Sequence, residues 1–258
     1  MTQPLRWGFG RWGDRLPAAW RRLLPLLWPL LYLLGMVLIS GGLGLMPVRP
    51  SDWGGLLLTL VQSSFAILLC FPLGVALALG RRSELPLLRW GSVLYIEFIR
   101  GAPLITLLFL GQNILGFLLP GGLAPDRVWR AAWVLTFFAA AYVAEAVRSG
   151  LAAVPRGQME AALALGMTPA RAMRYIVLPQ AIRTMLPPMT NFAIVLLKDT
   201  SIVFAVGVLE VMALARQLVT ETLTSAPIYL MAGAMYLCVT IPMARLAARL
   251  ERQRQAWQ

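Results

Sequence analysis

Three groups of residues in this 258-residue chain have the types and spacing to do chemistry. Glu97 and Arg100 stand three apart, so on a helix they share a face and can pair directly. Lys198-Asp199-Thr200-Ser201 makes a polar step in an apolar stretch. Lys198 and Asp199 are adjacent, point to different faces of a helix and each need another partner. Glu145 and Arg148 form a third group, near the inner boundary of their segment, and read as structural. An ionisable group inside a bilayer costs ~2.5–3.5 kcal/mol even on the lenient insertion scale, so such groups pair or line a cavity. The chemistry open to the first two is recognition: a carboxylate and a cation can complement opposite charges on a polar solute. The alternative is that they fix helix packing, and the residues alone leave both readings open.

What is missing narrows the field further. The chain has no histidine, so imidazole-dependent metal sites and nucleophile activation are excluded. Its one lysine, Lys198, follows Leu197, so it lacks the Gly-Lys pair with which a P-loop cradles nucleotide phosphates. Cys70 and Cys238 both lie in apolar blocks and read as neither a disulfide nor a thiolate metal site. No catalytic constellation appears, so the chain reads as a non-enzyme holding no cofactor and no metal.

The elements that must position these residues are membrane spans. The chain is 59% hydrophobic and 13% charged, where a soluble protein carries roughly 25% charged residues. Apolar segments run over 23–46, 54–80, 87–119, 128–147, 185–212 and 227–245. About 20 residues cross the ~30 Å hydrocarbon core, which predicts six crossings. The third segment is too long for one straight helix and must tilt, break or begin along the surface; Gly101 and Pro103 supply a break.

Arginine placement sets the orientation. With the N-terminus in the cytoplasm, the inner stretches carry Arg6 to Arg22, Arg81 to Arg89, Arg148 to Arg183 and Arg245 to Arg254. Only Arg49, Arg127, Arg130 and Arg216 fall outside. Both ends are therefore expected in the cytoplasm, with a basic, aromatic segment at 1–22 on the inner leaflet. The excess of 23 basic over 11 acidic residues points to membrane lipid as the partner, not to nucleic acid.

One inner loop, from about Arg148 to Arg183, is long and carries helix punctuation. Pro155 can open a helix that Gly166 ends; Thr168 then caps a second, with Pro169 at its first position and Pro179 beyond its end. Two short helices outside the bilayer need something to pack against. A partner protein and the chain's own helix ends both satisfy that need. The small residues Ala161, Ala162 and Gly166 let another backbone approach.

Glu160-Ala161-Ala162, three residues, Gly166, nine residues, then Ile176-Val177-Leu178-Pro179 resembles the EAA loop of ABC-importer permease subunits at every position. Tyr95-Ile96-Glu97-Phe98-Ile99-Arg100-Gly101-Ala102-Pro103-Leu104 looks like the E-x-x-R-G-x-P-L signature of polar amino acid permeases. Ala140 to Glu145, Leu178 to Ala181 and Lys198 to Ser201 match further segments, and Gly80 to Ser83 with Arg100 to Thr106 is most similar to general L-amino-acid permeases. Ala102 departs from the threonine of many relatives.

The resemblance covers about 54–252 and implies an all-α polytopic membrane protein with a type I ABC importer transmembrane domain. Six transmembrane helices and a cytoplasmic coupling-helix loop at 155–179 are then expected, with 23–46 as an additional N-terminal helix. It implies that Glu160, Ala161, Ala162 and Gly166 contact a cytoplasmic ATPase dimer, on which ATP and magnesium reside. It also implies a second permease subunit, related or identical, and an extracytoplasmic amino-acid-binding protein. Glu97, Arg100, Lys198, Asp199, Thr200 and Ser201 become candidate pathway or gate residues, in a bacterial plasma membrane protein importing polar or general L-amino acids by alternating access. The rivals are an ABC permease for another small polar solute, an ion-coupled secondary transporter and an integral-membrane enzyme.

Overall fold

The computed structural model describes residues 52–118 and 125–255 and, before them, 30, 32–39, 41, 44–46 and 48–49. The basic segment at 1–22 and most of the expected first crossing lie outside the described residues; 32–39 are helical. The chain divides into two units, Met1–Trp53 and Gly54–Gln258. In the first, the Trp53 indole Nε1 donates to the Val48 carbonyl at 3.1 Å.

The second unit is helical throughout its described residues, apart from one isolated parallel bridge between Gly55 and Glu210. Helix α1 is Gly55–Arg81, α2 Pro86–Gly101, α3 Leu104–Leu118, α4 Arg127–Ala152 and α5 Arg156–Ala164. A short α6, Pro169–Ala172, continues through a π turn, Met173–Val177, into α7, Leu178–Asp199, and a 3-10 segment, Thr200–Val206. Helices α8, Val211–Thr222, and α9, Ala226–Gln255, complete it. Among the described residues, four helical runs are long and apolar enough to cross a membrane, and α2 with α3 makes a fifth if the bent pair is one span.

The break in that pair has a local cause. Ala102 precedes Pro103 and is extended (φ −95°, ψ 141°), because the proline ring excludes the helical conformation at the residue before it. Helices α2 and α3 consequently meet at 116°. Gly101 is simply the last helical residue of α2, so the proline makes the break and the glycine does not.

Lipid tails are as apolar as leucine, so tight packing has to hold these helices together. Helix α4 does most of this. Ala131, Ala132, Leu135, Ala139, Ala140 and Ala141 are fully buried along it. Small residues let its neighbours close in: a Cβ at Gly74 of α1 would lie 2.5 Å from Val143 Cγ1 and 2.9 Å from the Ala140 carbonyl oxygen. On its other side, a Cβ at Gly150 would lie 3.0 Å from the Ala181 carbonyl oxygen of α7.

The second loop helix differs from expectation. It does not stop before Pro179 but runs from Pro169 into the membrane span without interruption. Proline lacks an N–H and its ring crowds the carbonyl four residues back. Here the π turn widens the helix just before Pro179, and the Leu178 N–H reaches back to the Met173 carbonyl. Pro187 and Pro188 are likewise carried inside α7.

Candidate functional site

Helix α5 is built to be presented. Pro155 precedes its first turn, and its end closes in a Schellman motif: Gly166 N–H donates to the Leu163 carbonyl at 2.9 Å, and Met167 N–H to the Ala162 carbonyl at 3.1 Å. That closure needs a left-handed residue, and Gly166 supplies it at φ +81°. Thr168 then stands at the N-cap of α6, but its side chain makes no capping hydrogen bond.

The loop has an inner and an outer side. Ala162, Ala172 and Val177 are buried, and α5 packs on α6 and the π turn. The Gln180 amide donates to Gln158 Oε1 at 3.2 Å and ties α7 to α5. Glu160, Ala161, Leu163, Leu165, Gly166 and Tyr175 are exposed, with Arg156, Arg171 and Arg174 around them. The expectation for Ala162 is therefore corrected. At 4% exposure it is occupied by its own chain, because the small side chain is what lets α5 sit against the helix behind it.

The charges around Glu97 and Arg100 are arranged differently from their spacing. Glu97 does not pair with Arg100. Instead Arg81 Nη1 of α1 lies 3.3 Å from Glu97 Oε1 and 3.6 Å from Glu145 Oε2, and Arg100 Nη1 lies 3.8 Å from Glu145 Oε2. Arg148 Nε donates to both Glu145 oxygens at 3.0 Å. Helix α2 crosses the ends of α1 and α4, so partners on those helices lie nearer than the neighbour one turn away. Glu145 is the hub of the network, joining Arg81, Arg100 and Arg148, and the Arg100 guanidinium also sits 5.8 Å from the Tyr142 ring centroid.

The Lys198 step divides between two faces. Lys198 is exposed and Asp199 half-buried, and among the described residues neither has an ion-pair partner. Ser201 is half-buried beside them. Thr200 belongs elsewhere: it is fully buried and its hydroxyl donates to the Leu197 carbonyl at 2.6 Å. It faces the core, which removes it from the candidate pathway.

Sequence reasoning missed the polar centre that Thr200 joins. Glu210 has no exposure, and its carboxylate accepts from the Met212 and Ala213 N–H groups at 2.8 Å each, capping α8. Tyr236 of α9 donates to Glu210 Oε2 at 2.9 Å, and its hydroxyl also meets Thr59 and Thr200. Thr59 Oγ1 accepts from the Val211 N–H at 3.5 Å, and the Gly55 N–H donates to the Leu209 carbonyl at 2.9 Å. An acidic residue standing just before the amphipathic run 211–222 was the available signal.

Residues 70–255 match the family model described as the binding-protein-dependent transport system inner membrane component. The chain belongs to that family. A binding-protein-dependent transport component of this kind is a multi-pass inner-membrane protein that carries solute and is not itself an enzyme. The chain is 37% identical over 254 residues to the inner membrane amino-acid ABC transporter permease protein YhdY of Escherichia coli, covering 97% of this chain and 67% of that one. It is 40% identical over 215 residues to the glutamate/glutamine/aspartate/asparagine transport system permease protein BztC of Rhodobacter capsulatus, covering 82% and 50%. The chain thus spans about two thirds and one half of these relatives. A crystal structure of an amino acid ABC transporter with histidines superposes with a TM-score of 0.71 at 32% identity, over 85% of this chain and 97% of that one.

Proposed function

We propose that this family member is the permease subunit of an ATP-driven importer for polar or general L-amino acids. The observation that carries the reading is the loop around Glu160. Its exposed residues are held on a capped helix whose back is packed, which is the form a docking surface takes. Glu160, Ala161 and Gly166 would contact a cytoplasmic ATPase dimer, with ATP and magnesium bound there and not here. Both termini would then be cytoplasmic, as the arginine distribution requires.

The amino acid cargo is supported by the names of both relatives and by the exposed Lys198 with the half-buried Asp199. An unpaired cation and carboxylate one residue apart can meet the two charged ends of a zwitterion. Because neither has an ion-pair partner among the described residues, the pathway would form against a second permease subunit, related or identical. An extracytoplasmic binding protein would deliver the substrate, and ATPase closure would rock the two subunits so that their shared cavity opens alternately to each side.

The test is uptake into vesicles holding the complete complex, with ATP and magnesium inside and radiolabelled amino acids and binding protein outside. ATP-dependent accumulation, lost when Lys198→Ala is introduced, is the expected result. Uptake driven by an ion gradient without ATP would overturn the reading, and accumulation of a different small polar solute would keep the importer and replace the cargo.

A further inference from the structure

Between α1, α2 and α4, at the end where α1 turns into α2, lies an open groove of about 530 Å³. Leu73, Leu77, Leu88, Tyr95 and Phe137 line it, and the one phenol among them is already committed, since the Tyr95 hydroxyl donates to the Phe137 carbonyl at 2.8 Å. Its volume is that of a small-molecule cleft, ~300–1,000 Å³, but it lacks the convergent polar groups that orient a soluble ligand. Where α1 and α2 cross, the contact is close: a Cβ at Gly80 would overlap Ser92 Oγ.

The rim is charged in one sense. Ser83 and Leu88, which line the groove, are chain neighbours of Arg82 and Arg89. Both arginines are exposed, and among the described residues neither has a carboxylate partner. Glu84 is exposed and pairs with neither, so the rim keeps a net positive charge. The Arg89 guanidinium lies 5.8 Å from the ring centroid of Trp90, itself 63% exposed, as aromatic anchors at a membrane interface are. We infer that this groove holds one acyl chain of an anionic phospholipid of the inner leaflet, with its phosphate against Arg82 and Arg89. An apolar trough alone would take any lipid; the unpaired arginines at its mouth select the anionic one. The inference rests on the cytoplasmic placement of 81–89 proposed above.

Native mass spectrometry of the complete complex, incubated with equal amounts of dioleoylphosphatidylglycerol and dioleoylphosphatidylcholine, tests it. The unmodified complex should retain phosphatidylglycerol preferentially. Arg82→Gln with Arg89→Gln should reduce that preference by about fivefold per arginine, the size of one basic residue's attraction to an anionic surface. Ala76→Phe, which fills the groove from an exposed position on its wall, should reduce retention of both lipids. A double variant that keeps the unmodified complex's full preference for phosphatidylglycerol would overturn the inference, as would a photocrosslinker at Leu77 that captures a protein subunit instead of lipid. Bound lipid is counted without transport, so failure of the importer reading would leave this result standing or falling alone.

Discussion

Tyr236 holds the one fully buried carboxylate among the described residues: its hydroxyl donates to Glu210 Oε2 at 2.9 Å while Glu210 caps the helix that follows it. One side chain thereby joins α8 and α9, and Thr59 brings in α1. Removing either partner strands the other where water does not reach. A hydrogen bond to a charged group contributes about 1.5–3 kcal/mol. Tyr236→Phe should destabilise the purified subunit within that range, and Glu210→Ala by more, because the cap is lost as well. A double-mutant cycle on thermal unfolding in detergent measures the coupling, and purely additive losses would dismiss it.

At the opposite end of the bundle, Glu145 should matter more than Glu97. Among the described residues, Glu145 forms ion pairs with three arginines, whereas Glu97 forms one, with Arg81, and is 55% exposed. Glu145→Gln should destabilise by about 1.5–3 kcal/mol, the value of charge-assisted hydrogen bonds, and Glu97→Gln by under about 1 kcal/mol. Adding Glu97→Gln to Arg100→Ala should rescue nothing, since the two do not touch. Recovery in that double variant would restore the pairing along α2.

Gly166 offers a conformational test of the loop. A Cβ there would meet nothing within 4 Å, so any penalty comes from the backbone at φ +81° and not from a clash. Valine in the left-handed region costs about 1–3 kcal/mol, whereas asparagine tolerates it. Gly166→Val should abolish ATP-driven uptake while the subunit still inserts, and Gly166→Asn should retain most of it. Equal activity of the two would separate the cap from transport.

Gly74 tests the packing of α1 on α4. Gly74→Ala places a methyl within 3 Å of Val143 and the Ala140 carbonyl, where the backbone cannot yield cheaply. Overpacking of this kind costs about 1–3 kcal/mol. The thermal midpoint in detergent should fall, and an unchanged midpoint would mean that the two helices separate freely.

The spans, the break before α3 and the helix that Gly166 ends were legible because each follows from local rules: apolar length, a proline's effect on its neighbour, a glycine's freedom at positive φ. The partners of Glu97 and Arg100 were not, because a three-residue spacing says only that they can meet, and the crossing of α2 over α1 and α4 decides otherwise. Ala162 and Thr200 were misplaced for a related reason. Motif membership does not say which side of a helix is inward, and in both cases the inward side is the one the residue occupies. Glu210 escaped notice because Tyr236, which ties it to α9, is distant in the chain, and only its capping of α8 is local.

The uninterrupted helix from Pro169 to Asp199 has a mechanical corollary. At 1.5 Å per residue it is a beam of about 45 Å, bearing Tyr175 near one end and Lys198 near the other. Pushing on its loop end swings the far end the opposite way about whatever fulcrum the bilayer provides, so a thrust delivered at Tyr175, in the π turn, reaches Lys198 through a helix whose softest point is the Pro187-Pro188 pair.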